Sequence, residues 1–204
     1  MLIVIFLYII ILETEYSNLR LLDSINKVED LIQYAFDLGL EGICITDHET
    51  LSAHIRALKF YKDKCEKDER WKSFKLGLGN EIYLCRNGLN ADIYEKGEKF
   101  PHFILVAKDE IGHRQLRELS TKAWSHSFTM FLTRVPTYYS DIEEVIGSNP
   151  GHVVASSACI GGYLGICKSQ NREEDALKFI NWCVNIFGND FYLELQPASY
   201  QEQI

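Results

Sequence analysis

Short apolar segments alternate with longer segments of helical periodicity along most of this chain. The apolar segments are rich in β-branched residues and bounded by glycine and polar residues, a pattern typical of buried strands. The predicted strands are 42–46, 75–84, 103–107, 153–156 and 191–195. The predicted helices are 26–38, 51–65, 109–123, a short helix from 140, and 171–187. This alternation predicts one α/β domain with a mainly parallel sheet or barrel and crossover helices.

Polar residues mark where these helices start. Three pairs have capping-box spacing: Asn26 with Glu29, Ser140 with Glu143, and Asn171 with Glu174. Asp109 is predicted to be a single N-cap, and Gly39 is predicted to end the first helix. The charged run 62–70 needs no functional explanation, since it continues a helix as a solvated tail.

The chain begins with an apolar run over residues 1–12. The run is too short to span a bilayer, and it lacks the basic segment and small-residue cleavage site of a signal peptide. Its β-branched residues favour a buried first strand. A weaker hypothesis makes it a membrane-associating segment.

Composition narrows the class of protein. The 204 residues carry a net charge of -8, so the average surface repels nucleic acid unless a basic patch or a metal intervenes. The six cysteines form no C-x-x-C pair and several lie in apolar patterns, as reduced core thiols do. We therefore expect a cytoplasmic protein that does not bind DNA by itself.

Ligand-type side chains lie beside several predicted strands. Asp47 and His48 follow a buried strand, Glu81 interrupts an apolar one, His102 opens another, and Cys159 follows a fourth. Carboxylate, imidazole and thiolate are the groups that zinc and manganese sites use. The alternative for Glu81 is an edge position facing water. His102 heads its strand, which fits poorly with a site at the carboxyl ends of parallel strands.

Other polar and aromatic residues have simpler interpretations. We predict a surface location for three histidines: His54, His113 and His126. His152 precedes a strand without an evident partner, and Ser156 and Ser157 are expected to serve turn chemistry because no G-x-S-x-G elbow surrounds them. Packing is the predicted role of three tryptophans: Trp71, Trp124 and Trp182.

Six ordered motifs resemble the N-terminal PHP (polymerase and histidinol phosphatase) domain of bacterial and phage DNA polymerase III alpha subunits. They are Thr14-Glu15-Tyr16-Ser17 with Leu21-Leu22-Asp23-Ser24, Ile45-Thr46-Asp47-His48, Gly79-Asn80-Glu81-Ile82-Tyr83, His102 before Leu105-Val106-Ala107-Lys108, Ser157-Ala158-Cys159-Ile160-Gly161-Gly162, and Phe191-Tyr192-Leu193-Glu194-Leu195-Gln196. The resemblance implies a (β/α)7 distorted TIM-like barrel whose rim binds divalent metals. On this basis residues 1–204 would be a PHP domain truncated at its C-terminus, with 1–12 a first strand foreign to the family.

The resemblance also implies a ligand set. The family's metal ligands fall on Asp23, His48, Glu81, His102 and Cys159, and Asp47 would assist His48 in any catalysis. The metal would be Zn, Mn or Mg. The family's first motif is His-x-His, where this chain has Ile11-Leu12-Glu13, so Glu13 is at best a substitute ligand. The family's last motif, Asp-x-His, would lie beyond residue 204.

Two functions follow from this resemblance. The first is the PHP part of a replicative DNA-directed DNA polymerase, structural and with an incomplete metal site; its partners would be the rest of the alpha subunit and the replisome. DNA would be reached only through the intact enzyme, and no membrane is expected. The alternative is a metal-dependent phosphoesterase or 3'-5' proofreading exonuclease. The missing motifs favour the structural function, whereas the retained ligands favour a metal site.

Overall fold

The computed structural model describes residues 26–90, 100–129 and 133–195. Its backbone contacts divide the chain into two units, residues 1–80 and 81–204, each taken separately below. The apolar run 1–12 and the candidate ligands Glu13 and Asp23 lie outside the described residues. What the sequence predicts for them stays a prediction.

The described part of the first unit is a strand, helix, strand arrangement preceded by a helix. Its elements are α1 (Val28–Asp37), β1 (Gly42–Ile45), α2 (His54–Lys67), a 3-10 turn (Glu69–Lys72) and the first half of β2 (Lys75–Cys85). β1 pairs with β2 in parallel, with Ile45 opposite Leu78. α2 is therefore the crossover helix that the alternation predicts.

Aromatic stacking organises the core of this unit. The Trp71 ring lies 4.0 Å from that of Phe36 in a stacked arrangement and 5.4 Å from that of Phe74, edge on. Trp71 is 2% exposed, and Tyr61 donates its hydroxyl to the Phe74 carbonyl at 2.7 Å. The 3-10 turn thus closes the unit by inserting one large side chain, and the predicted packing role of Trp71 is confirmed.

The second unit contains the remaining elements. They are the second half of β2, β3 (His102–Ala107), α3 (Glu110–Ser125), β4 (Phe128–Thr129), β5 (Thr133–Arg134), β6 (Pro136–Tyr138), α4 (Tyr139–Ile142), a π-helix (Glu143–Gly147), β7 (Val153–Ser156), α5 (Tyr163–Ser169), α6 (Glu173–Phe187), a 3-10 turn (Gly188–Asp190) and β8 (Phe191–Tyr192). The β4–β5 hairpin, β6, α5 and the π-helix were not predicted from the sequence.

Strand directions in the second unit are mixed. β2 pairs with β6 in parallel and β7 pairs with β8 in parallel, whereas β3 and β7 are antiparallel. The hydrogen-bonded path from β2 through β3 and β7 ends at β8. The sheet is rich in parallel pairs, as predicted, but the described residues form no closed barrel, so the (β/α)7 barrel is not confirmed. The antiparallel β3–β7 pair departs from the all-parallel strand direction of such a barrel.

The helix starts agree only partly with the predicted caps. Asp109 caps α3 by accepting a hydrogen bond from the Gly112 amide at 2.9 Å. α1 instead has Lys27 at its N-cap position, and α6 has Arg172 there. The predicted Asn171 cap is wrong, because Asn171 has φ 54° and turns the chain before α6.

A buried side-chain amide supports the π-helix. Gln115 on α3 is 6% exposed, and its Nε2 donates to the carbonyls of Val145 at 3.0 Å and Asn149 at 2.8 Å. A π-helix shifts the usual hydrogen-bond pattern, and buried carbonyls near it need donors. The Gln115 side chain supplies two such hydrogen bonds.

Replacing Trp71 tests the aromatic core. We expect Trp71→Ala to lower the free energy of unfolding by about 3–5 kcal/mol, since it empties a buried ring site. Trp124 is 42% exposed, so Trp124→Ala is the matched control, with an expected loss of about 1 kcal/mol or less. Urea unfolding measures both. Equal losses would contradict the assigned core.

The α3 cap predicts a dependence of stability on pH. The Gly112 amide and then the neighbouring His152 ring hold the pKa of Asp109 below its ordinary value. The charged cap therefore stabilises above the ordinary aspartate pKa, and the contribution is lost as pH falls through the lowered folded-state pKa. Asp109→Asn keeps a capping side chain without titration. Urea unfolding at several pH values should show that the difference in free energy of unfolding between the two proteins shrinks below about pH 4. A difference that stays constant across pH would contradict this prediction.

Candidate metal centre

Glu81 and His102 form the centre of the candidate site. Glu81 is on β2 and is 1% exposed, and its Oε1 lies 2.7 Å from Nδ1 of His102, the first residue of β3. A carboxylate without a partner in such a place would cost several kcal/mol. The edge-of-sheet alternative for Glu81 is therefore wrong, and the carboxylate is satisfied by the imidazole.

Cys159 completes this group from the turn after β7. Its Sγ lies 3.4 Å from His102 Nδ1 and accepts a hydrogen bond from the Gly161 amide at 3.3 Å. Ala158, directly before it, has φ 59°. This left-handed residue turns the chain sharply, so the thiol faces the imidazole.

Strand direction explains how His102 reaches the group. β3 and β7 are antiparallel, with Ile104 opposite Ser156. The beginning of β3 therefore lies at the same edge as the end of β7, where the turn with Cys159 starts. A backbone hydrogen bond from His102 N to Gly161 O at 3.1 Å fixes the two segments together. A parallel sheet could not have brought the start of one strand and the end of the next to one edge.

The electrostatics favour a charged imidazole when no metal is bound. Burial lowers the pKa of His102, but hydrogen bonds to Cys159 and Glu81 and the charge of Glu81 outweigh it and raise the pKa to about 9. The protonated ring compensates the charge of the buried carboxylate, and a metal cation at this group would have to take over that compensation.

The arrangement does not match a nucleophile and base relay. In such a relay the nucleophile and the orienting acid bond to different nitrogens of the histidine. Here both Cys159 Sγ and Glu81 Oε1 lie against Nδ1. Carboxylate, imidazole and thiolate are ligand types that zinc sites use, so the composition of this group suits the binding of a cation better than a proton relay.

Asp47 and His48 lie in the first unit, in the loop between β1 and α2. Asp47 is 0% exposed, His48 is half-buried, and both follow β1 directly, as predicted. The Asp47 carbonyl accepts a hydrogen bond from Asn80 Nδ2 at 2.8 Å. The loop is therefore fixed through its backbone by a residue of β2.

Several residues were misjudged from the sequence. His54 is 2% exposed, not a surface residue, and its Nε2 donates to the Gly79 carbonyl at 2.8 Å. His126 stacks on Tyr138, with ring centroids 4.3 Å apart. His152, which had no evident partner, pairs with Asp109 at 2.7 Å. Periodicity does not reveal such contacts, because each partner is distant along the chain.

Comparisons with known proteins show to which family the chain belongs. The family model described as "PHP domain" matches residues 12–198. The chain belongs to the PHP domain family. A Bacillus subtilis protein named "Probable DNA polymerase YorL" is 43% identical over 94% of the chain. The DNA polymerase III subunit alpha of Borreliella burgdorferi is 32% identical over 92% of the chain.

The chain spans about 16% of the length of the Bacillus relative and 15% of that of the Borreliella relative. A Bifidobacterium adolescentis structure assigned as a metal-dependent phosphoesterase covers 50% of the chain at 18% identity with a TM-score of 0.30, too low to carry an argument. Membership of the family implies a divalent metal. No helix among the described residues is long and apolar enough to cross a membrane.

Glycine is required at one position of the Cys159 turn. A Cβ on Gly162 would overlap the carbonyl oxygen of Ser157, whereas a Cβ on Gly161 would meet Cys159 Sγ at 3.4 Å, an ordinary contact. We expect Gly162→Ala to destabilise by about 1–3 kcal/mol and Gly161→Ala to change stability by about 1 kcal/mol or less. Thermal unfolding measures both. Equal tolerance of the two substitutions would contradict the turn geometry.

Proposed function

We propose that this chain is the PHP part of a replicative DNA polymerase of the DNA polymerase III alpha type, and that its site holds a divalent metal that supports the fold. The observation that carries the proposal is the buried Glu81 carboxylate bonded to His102, with the Cys159 thiol beside the same nitrogen. Relatives named as DNA polymerases support the proposal that the chain is part of a polymerase. The proposed partners are the remainder of the polymerase and its replisome, through which DNA would be reached.

The side chains present fit a divalent cation. Zinc accepts nitrogen, sulfur and oxygen ligands, and manganese accepts nitrogen and oxygen, so Zn and Mn both suit the set better than Mg does. Glu81 and His102 would be the principal ligands and Cys159 a third. A cation bound there would compensate the Glu81 charge where solvent is excluded.

His48 is proposed as a further ligand. His48 lies in the loop after β1, three residues beyond Ile45, which is the last residue of that strand. The family pattern, in which a histidine at this position binds the metal, supports His48 as a ligand. Asp47 is proposed to orient His48 as a hydrogen-bonding partner. Asp23 and Glu13 stay proposed ligands from the family pattern alone.

A second candidate function is a metal-dependent phosphoesterase or 3'-5' exonuclease. The retained Glu81, His102 and Cys159 group favours it, because a bound metal polarises a phosphoryl oxygen and lowers the pKa of a bound water. Ile11-Leu12-Glu13 at the place of the family's first His-x-His motif counts against it. We therefore rank it below the structural function.

Metal content tests the proposed function. Plasma mass spectrometry of the purified chain should find stoichiometric Zn or Mn, which Glu81→Gln and His102→Ala should remove. His152→Ala is the control, since that histidine pairs with Asp109 away from the ligand group. Added metal should raise the Tm of the wild type and leave that of Glu81→Gln unchanged. A wild type that stays free of metal after loading would refute the proposal.

Hydrolysis separates the two functions. A generic phosphodiester, bis(p-nitrophenyl) phosphate, is incubated with the Mn-loaded chain and with Glu81→Gln. The structural function predicts rates equal to those of free Mn²⁺ for both proteins. If the Mn-loaded wild type and His152→Ala hydrolyse the ester and Glu81→Gln does not, the hydrolase replaces the structural function as the conclusion.

A further inference from the structure

One buried side-chain amide brackets the loop that carries His48. Asn80 Nδ2 donates to the carbonyl of Asp47 at 2.8 Å and to that of Thr50 at 3.1 Å. The two carbonyls stand on either side of His48 and Glu49. Asn80 is 2% exposed, so water cannot easily replace it as a donor. The Asn80 side-chain amide therefore donates both of its protons to backbone carbonyls of the same short loop.

The bracketed residues need such support. Glu49 has φ 57°, in the left-handed region that a residue with a Cβ adopts at a cost in free energy. A loop without bonds on both sides of Glu49 would relax toward more favourable backbone angles. Relaxation there would turn the peptide that precedes Glu49, and with it the direction of the His48 side chain.

Neighbouring residues of β2 hold the loop at two places. Asn80 holds the Asp47–Thr50 segment, and the Gly79 carbonyl accepts a hydrogen bond from His54 Nε2 at 2.8 Å. His54 is the first residue of α2. The loop is thus fixed to a rigid strand at its middle and at its exit, as a preformed binding loop requires.

We propose that Asn80 is a positioning residue, which holds His48 in the conformation that binds the divalent metal. This inference rests on the proposed metal site. Asn80 acts through the loop backbone and donates no atom to the metal. Its loss should therefore weaken metal binding only as far as His48 contributes to it.

The chain offers a matched control for this role. Gln115 is also a buried amide whose Nε2 donates to two backbone carbonyls, those of Val145 and Asn149. It lies in the second unit and supports the π-helix. Replacing either amide by alanine removes the same kind of bonds, but only Asn80 brackets a proposed ligand.

The experiment compares Asn80→Ala, Gln115→Ala, His48→Ala and the double variant Asn80→Ala/His48→Ala in the full chain. Zinc affinity is measured by competition with a chromophoric chelator. Hydrogen exchange of residues 46–51 is measured on the metal-free proteins. We expect Asn80→Ala to weaken zinc binding about 10–100-fold and to speed exchange of 46–51 about tenfold. Gln115→Ala should do neither. The Asn80 change should add nothing once His48 is absent.

The outcomes separate the two proposals. A wild type that binds no zinc refutes the metal site, while unchanged exchange of 46–51 in Asn80→Ala refutes the positioning role independently. An equal loss of zinc affinity with and without His48 also overturns it. If Asn80→Ala does not fold, Asn80→Ser, which keeps a hydroxyl donor, replaces it; a smaller loss of affinity is then expected, and an unchanged affinity overturns the proposal.

Discussion

The burial of the Glu81 carboxylate is the constraint on which the second unit depends. A carboxylate that is 1% exposed is tolerated only with a compensating partner, and His102 Nδ1 at 2.7 Å is that partner. For the Cys159 thiol to reach the same imidazole, β3 must begin at the edge where β7 ends. The antiparallel β3–β7 pair satisfies this condition, and the close turn around Gly162 then brings the Cys159 thiol to the same nitrogen.

Residues of β2 make buried contacts within each of the two units. Along β2, the Gly79 carbonyl receives His54, the Asn80 amide holds the Asp47–Thr50 loop, and Glu81 binds His102. Successive residues of a strand point to opposite faces, so neighbours in sequence can serve different surroundings without competing. The rigid strand β2 thus fixes the positions of groups that lie on loops.

Membership of the PHP domain family bears on the proposed metal site at Glu81, His102 and Cys159. The chain matches the family over residues 12–198 and spans about a sixth of the length of its Bacillus relative. Removing the imidazole would leave the buried Glu81 carboxylate without its compensating partner, whether the domain hydrolyses a substrate or supports a larger enzyme. The distinction between scaffold and hydrolase therefore rests on the ligands beyond the Glu81, His102 and Cys159 group.

Local pattern determined the strands β1, β2, β3 and β7 and the helices α1, α2, α3 and α6 to within a few residues. It also determined the Asp109 cap, since apolar periodicity and capping are properties of neighbouring residues. It also singled out Glu81, His102 and Cys159 as ligand-type residues beside strands. It could not show that β3 runs antiparallel to β7, that His54 is buried against Gly79, or that Asn80 brackets the His48 loop. These facts depend on pairings between residues distant along the chain, and strand direction and long-range hydrogen bonds are decided only when the whole core is packed.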